Sequence, residues 1–293
     1  MRLREIGGYQ TILILLAILI IQTVQIHPNV VLITSANSKA PAIIVPYDVI
    51  ALPGIEVWPQ AKVFTKKFFA AERPVGGERI EFFEGDRYLG LALTGGDGIG
   101  VIRYIPHRQG VHKIMVRLQT ASSYEAEEAE GVIAVWDRTK PIILISMETL
   151  RERPKQRIFP FLSDKTEAME SKPVERSVDV MSSIYKRYNV IYLYRGSLSP
   201  VPDTKSWLGK NKFPGGPVII WDGSKNSVNK LLSERLKDIK GVVVTADDEA
   251  RVFQEEGVRT ILMAEKKKVS EFKKSLKDVA IVTGWNEIKK ALL

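Results

Sequence analysis

The sequence has no cysteine and only three histidines in 293 residues. The first absence excludes disulfides, thiolate metal sites, a cysteine nucleophile and a lipidated cysteine as an anchor. It suits an oxidising compartment, where a chain without thiols cannot mispair. The histidines, His27, His107 and His112, all precede residue 139. No metal-binding spacing and no Ser-His-Asp set can be assembled from them. The glycine-rich stretch Gly95 to Gly100 lacks the lysine and the helix of a phosphate loop. Long apolar runs are scarce as well, and the one that stands out lies near the N-terminus.

That run, Tyr9 to Ile26, is 18 residues without a charge, with its strongest part at Ile12 to Ile21. It is just long enough to span roughly 30 Å of hydrocarbon at about 1.5 Å per residue. Arg2 and Arg4 precede it and hold that end in the cytoplasm, and His27-Pro28 stops it. An uncleaved signal-anchor, a transmembrane helix, is the favoured reading. A signal peptide cut at Thr34-Ser35-Ala36 is the alternative. Residues 1–36 are thus expected to be a membrane anchor or signal segment, and the rest to be exported to the periplasm or cell surface.

The net charge of +9 is unevenly spread. Residues 1–138 carry 14 basic and 14 acidic side chains, whereas 139–293 carry 29 basic and 20 acidic ones. A basic second half can favour an anionic lipid or polymer. Interspersed acids, as where Glu265 precedes Lys266-Lys267-Lys268, favour a solvated lysine-rich surface. No nucleic-acid motif accompanies the charge, so no nucleic-acid partner is expected.

Residues 37–138 read as short strands separated by turns at Gly76, Gly85, Gly95 and Gly110. Alternating runs such as Arg79-Ile80-Glu81-Phe82 lie between them, the pattern of an all-β sandwich. The stretch Gly85-Asp86-Arg87-Tyr88-Leu89-Gly90-Leu91-Ala92-Leu93-Thr94, then Asp97-Gly98, Tyr104-Ile105-Pro106 and Gly110 to Val116, resembles immunoglobulin-like domains of bacterial surface proteins. The resemblance implies a fold and no ligand.

Residues 139–293 alternate differently. Continuous apolar runs at Ile142–Ile145, Val190–Leu193, Val218–Trp221, Val242–Val244, Thr260–Met263 and Val279–Val282 read as buried parallel strands. Helices are expected over Pro173–Tyr188 with Ser171 as cap, and near 227–239, 247–256 and 269–276. Together these predict a doubly wound α/β domain. The linker Asp137-Arg138-Thr139-Lys140 is too short to separate the two domains, so they should touch.

Ligands of such sheets bind at the carboxyl ends of the strands. That rule selects a candidate pocket of Ser146, Glu148, Tyr194, Arg195, Ser197, Asp247, Asp248 and Glu249. Asp247 and Asp248 also suit helix capping and the helix dipole, and Arg195 suits a surface ion pair.

Two stretches carry a further resemblance. Asn189 to Arg195 leads through Trp207-Leu208 to Phe213-Pro214-Gly215-Gly216-Pro217-Val218, and Gly241 to Val244 leads to Phe253 through Val258. They resemble the haloacid dehalogenase-like superfamily, in its lipin-type, phosphatidate-phosphatase-like branch. Active members place Asp-x-Asp-x-Thr after the first strand, one Asp attacking phosphorus and binding Mg²⁺, the other transferring a proton. Aligning Thr149-Leu150 with that motif puts Ile145 and Met147 at the two acids. Tyr194 falls at the phosphate-binding hydroxyl, Lys230 is nearest to the family's lysine, and Thr245 and Glu249 fall at the last acidic pair. Read as a strand, the segment points Ser146 and Glu148 away from Ile145 and Met147.

The expectation is therefore a pseudo-phosphatase without cofactor: a tethered binding or scaffold protein whose partner is an envelope protein or an anionic lipid or polymer. The alternative is a Mg²⁺-dependent phosphohydrolase with rearranged catalytic residues, acting on a lipid or surface-polymer phosphate.

Overall fold

The computed structural model describes residues 39–65, 71–137, 139–152, 171–233 and 238–292. The apolar run at Tyr9 to Ile26, and the cleavage site near Ala36, lie outside the described residues. Among the described residues no helix is long and apolar enough to cross a membrane.

The first part is built from strands β1 (Ala40–Pro41), β2 (Ile43–Pro46), β3 (Val49–Ala51), β4 (Gln60–Thr65), β5 (Arg73–Pro74) and β6 (Arg79–Glu84). Strands β7 (Arg87–Leu93), β8 (Ile99–Val101), β9 (Gly110–Leu118), β10 (Tyr124–Glu125) and β11 (Ala129–Val135) complete it. One sheet has the order β3-β11-β9-β6-β7, and a second joins β2, β4, β5 and β8. Period-two alternation decides which residues fill the space between them. Ile80 and Phe82 on β6 and Ile114 and Val116 on β9 point inward with Val63, Ala61 and Ile133. The β6–β7 hairpin turns through Gly85-Asp86, with Gly85 at φ 58°, a backbone angle that glycine adopts without strain.

The chain changes sheets between β2 and β3. Strand β2 pairs antiparallel with β4, and β3 pairs parallel with β11. This switch of the first strand between two packed sheets belongs to an immunoglobulin-like sandwich. Asp48 sits at the crossing point, and its role appears below.

The second part holds six parallel strands: β12 (Ile142–Ser146), β13 (Asn189–Arg195), β14 (Val218–Trp221), β15 (Ile239–Val244), β16 (Thr260–Met263) and β17 (Val279–Val282). The helices are α1 (Ser177–Tyr185), α2 (Val201–Lys210), α3 (Lys225–Ser233), α4 (Asp247–Glu255), α5 (Val269–Ser275) and α6 (Trp285–Leu292). The sheet order is β14-β13-β12-β15-β16-β17. Both faces are covered, which explains the unbroken apolar runs. Ile143, Ile145, Val190 and Val243 pack with α1, α2 and α6. Leu144, Ile191, Val242 and Leu262 pack on the other side with α3 and α4, and with Val132, Ala134 and Trp136 from the end of the sandwich.

The two parts do touch, through core-like contacts. Besides Val132, Ala134 and Trp136, the sandwich residues Val45 and Phe64 form one buried cluster with Val201 of α2. Residues 40–293 form one compact unit.

Three expectations need correction. Helix α1 begins at Ser177, not Pro173, and Ser171 does not cap it. The segment before it is drawn into extended pairing instead: Val174 N–H donates to Leu150 O at 2.8 Å and Glu152 N–H to Lys172 O at 2.9 Å. These bonds and the bridge between Arg151 and Pro173 hold the stretch in an extended conformation, which is not helical. The helix expected over 227–239 is α3, and by Ile239 the chain is already in β15. The residue before α4 is Ala246, which offers no side-chain cap. Asp247 and Asp248 lie inside its first turn, where they complement the helix dipole.

Candidate functional site

The strand order reverses direction between β12 and β15, and a crevice opens there at their carboxyl ends. Strand β12 stops at Ser146, and Met147–Thr149 form a 3₁₀ turn. The alternation expected through this segment therefore ends at Ser146: Ile145 and Met147 both enter the core, 0% and 1% exposed. Thr149 is a structural pin. Its hydroxyl donates to Ser146 O at 2.7 Å, and its carbonyl accepts from the Trp285 indole N–H of α6 at 2.9 Å. Ser146 is buried, and only Glu148 of this turn is exposed.

Three of the selected residues meet across β13 and α4. Arg195 Nη1 donates to Asp248 Oδ2 at 2.8 Å and lies 3.6 Å from Glu249 Oε1. The arginine reaches this position over Gly223, where a Cβ would come within 2.8 Å of the guanidinium. Glu249 is 3% exposed, and among the described residues its Oε2 has no hydrogen-bond partner. Burial pushes its carboxyl up to about 7. Arg195 opposes that rise, while Asp248 and Glu148 add to it. Burial also pushes Asp248 up, but its hydrogen bonds with Arg195 and the Glu249 N–H hold it below the usual carboxylate range.

The remaining selected residues are not drawn in. Ser197 and Asp247 are exposed. Tyr194 is half-buried and packs against the apolar clusters on both sides of it. Asp222, at the end of β14, accepts from Ser224 N–H at 2.8 Å and the Ser227 hydroxyl at 2.6 Å. These bonds hold its carboxyl down at about 2 and fasten the start of α3. Lys230 is exposed on α3. His112 belongs to the sandwich, where Nδ1 pairs with Glu84 at 2.7 Å.

A cavity of about 240 Å³ lies at the ends of β12, β15, β16 and β17, lined among others by Glu148, Arg151, Thr245, Met263, Lys268 and Phe272. Arg151 carries no sequence motif, yet it is the most unusual group there. Its guanidinium lies over the Trp207 ring, 4.7 Å from the centroid, and among the described residues its buried Nε and Nη2 have no hydrogen-bond partner. Burial lowers its pKa from the ordinary arginine value. The sequence offered one signal: an arginine directly after the buried run that ends at Leu150. A larger groove of about 790 Å³ runs between the sandwich and α2, with Lys113, Glu127, Glu128 and Asp203 on its walls. Among the described residues, no group of three or more His, Cys, Asp or Glu is placed to hold a metal ion.

No family model matches the chain. No curated protein matches it either. Solved structures do. The CARDB domain of a Pyrococcus furiosus protein, in complex with di-metal ions, is 10% identical; the match covers 33% of this chain and 86% of that one, with a TM-score of 0.23. Fibronectin(III)-like modules of CbhA from Clostridium thermocellum are 14% identical over 32% of this chain and 94% of theirs, with a TM-score of 0.22. Domains 4 and 5 of the S-layer protein SbsC are 8% identical over 34% of this chain and 53% of theirs, with a TM-score of 0.20. Scores this low carry no argument about function, and the sandwich assignment rests on its strand order.

Proposed function

We propose that this protein is a membrane-tethered, extracytoplasmic binding or scaffold module whose strand-end crevice holds a ligand or partner without transforming it. One observation carries the reading. The two positions that a phosphoryl-transfer nucleophile and its acid would occupy, Ile145 and Met147, are apolar and packed in the core. A nucleophile must come within bonding reach of phosphorus, and carboxylates nearby do not replace it. Asp248 is engaged with Arg195, and Glu249 is buried. Those two positions are assigned by the haloacid dehalogenase-like resemblance, which has no support in the comparisons. The tether rests on the apolar run and the arginines before it.

One observation favours the rival, a phosphohydrolase with rearranged residues. The buried Glu249 carboxyl, pushed up to about 7, has the protonation behaviour of a general acid. One assay separates the two. Full-length protein in detergent, given Mg²⁺ and either a generic phosphomonoester or phosphatidate, should turn over neither. Turnover with an inflection near pH 7 that Glu249→Gln abolishes, or turnover that Glu148→Gln or Asp248→Asn abolishes, would overturn the binding reading.

A further inference from the structure

The larger sheet of the sandwich ends in a strand that is paired on one side. Strand β7 closes the order β3-β11-β9-β6-β7, and among the described residues it pairs with β6 alone. The direction of its main-chain groups follows from β6. Arg79 O accepts from Gln119 N–H on the β9 side, and Glu78 O accepts from Thr94 N–H on the β7 side. Even-numbered positions of β7 therefore bond to β6, and the main-chain groups of Leu91 and Leu93 point to the free edge. Their side chains, 44% and 64% exposed, stand on the outer face, while Ala92 between them is buried in the sandwich core. Every large apolar side chain that is exposed among the described residues lies between Ile55 and Ile105. Natural edge strands are blunted by charges, proline or bulges. Here a bulge falls at Leu89, and the stretch from Gly90 to Thr94 beyond it has none of these.

This edge is complementary to itself. Two copies related by a two-fold axis at Ala92 place Leu91 of each opposite Leu93 of the other, and each such pair exchanges both main-chain bonds. The leucines then lie side by side on the outer face as cross-strand neighbours. The bulge selects this register, because the alternative centred on Leu91 needs Leu89 in the ladder. Charge agrees with it. Continued along the chain, the same register brings Arg87 towards Asp97 of the other copy. The Arg87 side chain is 64% exposed and lies 3.8 Å from Glu84, and Asp97 is exposed in the turn before β8. Residues 1–138 carry 14 basic and 14 acidic side chains, so the sandwich does not repel a second copy through net charge. The α/β part packs at the other end of the sheet, on Val132 and Ala134 of β11.

We propose that β7 pairs antiparallel with β7 of a second copy of this chain, so that two sandwiches join edge to edge in one continuous sheet. Main-chain bonds set the register, and the paired leucines supply the buried apolar surface. A short stretch of strand on each side makes a small contact, so the association is weak and depends on concentration. The inference goes beyond the strand-end crevice, and neither depends on the other.

The test is sedimentation equilibrium of the full-length protein in detergent over a concentration series. Wild type should pass from monomer to dimer. The double variant Leu91→Glu with Leu93→Glu sets like charges opposite one another and should weaken the dimer about tenfold or more. Leu91→Lys with Leu93→Glu sets opposite charges there and should restore it. These side chains are exposed, so the variants keep the fold, and all of them share the same N-terminal segment, so any association through that segment cancels in the comparison. The absence of cysteine from the chain allows the register to be read as well. Positions 91 and 93 of an opposed pair have Cα atoms about 5.5 Å apart, within disulfide reach. A mixture of Leu91→Cys and Leu93→Cys proteins should therefore cross-link on oxidation faster than either protein alone. The proposal is overturned if wild type stays monomeric, if the double glutamate variant associates as wild type does, or if the lysine–glutamate variant associates no better than the double glutamate one. It is overturned too if either thiol variant alone cross-links as fast as the mixture.

Discussion

Two buried carboxylates in this molecule have opposite surroundings. Asp48 lies at the joint between the sandwich and the α/β part, where the chain crosses from β2 to β3. Its Oδ1 accepts from Val132 N–H at 2.8 Å, and its Oδ2 accepts from Val218 N–H at 2.7 Å. The Lys205 ammonium donates to Asp48 Oδ1 at 2.5 Å, to Pro46 O at 3.3 Å and to Glu130 O at 3.2 Å. Every donor of that ammonium has an acceptor, and both carboxylate oxygens are used. Glu249, at the strand ends, is also buried, but among the described residues its Oε2 has no hydrogen-bond partner. Satisfied burial of charge ties elements together. Unsatisfied burial costs stability and marks the place where something other than stability is being retained.

The comparison fails most visibly if the joint is not what holds the two parts in register. Lys205→Ala would leave the Asp48 carboxylate buried without its cation, a loss of about 3–5 kcal/mol. Asp48→Ala would instead strand the Val132 and Val218 N–H groups and the Lys205 ammonium, with a loss of similar size. Chemical denaturation should give both values. The double variant should lose much less than the two single losses together, because the second change removes a group already orphaned by the first. Losses below about 1 kcal/mol in the single variants would put this pair with ordinary surface ion pairs.

The joint was invisible in the sequence for a physical reason. Asp48 and Lys205 are 157 residues apart, and neither lies in a motif. What could be read was what burial writes locally. Runs such as Val218–Trp221 and Thr260–Met263 are strands to the residue, because both faces of the parallel sheet are covered and no charged residue interrupts them. Alternation gave β6 in the same way. The start of α1 was misread because Pro173 has the sequence signature of a first helical residue, while the bonds that hold it extended come from Leu150 to Glu152. Helix α6, with Trp285 as its buried anchor, was not anticipated. At the site, the strand-end rule gathered Arg195, Asp248 and Glu249, which meet, together with Ser197 and Asp247, which do not. It missed Arg151, whose meaning depends on Trp207, a residue 56 positions later whose ring lies under the guanidinium.

A smaller effect sharpens the other half of the comparison. The folded-state pKa of Glu249 is raised to about 7 from its ordinary 4.5. Its contribution to stability is therefore fully present below pH 4.5 and is lost as pH rises through 7. Wild type should gain stability relative to Glu249→Gln as pH falls from 8 to 5, by on the order of 3 kcal/mol across that window. At pH 8 the variant should be the more stable of the two, since it has no charge to bury. Denaturant midpoints of both proteins at pH 8 and pH 5 read this difference directly. Parallel midpoints at the two pH values would mean that burial does not raise the Glu249 carboxyl, and its charge would not be one that the fold leaves unsatisfied.

The smallest expected effect concerns Arg195, and it separates a local pair from a tuned one. Its bond to Asp248 joins side chains that are 42% and 58% exposed, so solvent screens it. Removing it by Arg195→Ala should cost less than about 1 kcal/mol at neutral pH. The informative readout lies in its neighbour. Arg195 is the cation that restrains the rise in the Glu249 pKa, so without it burial and the Asp248 and Glu148 charges act unopposed. The Glu249 carboxyl, followed by side-chain carbon NMR, should then titrate above its wild-type midpoint of about 7. The window in which acid stabilises the protein through Glu249 should move to higher pH by the same amount. If Arg195→Ala leaves the Glu249 midpoint in place, the arginine belongs to Asp248 alone, and the strand-end charges are two independent groups rather than one coupled site.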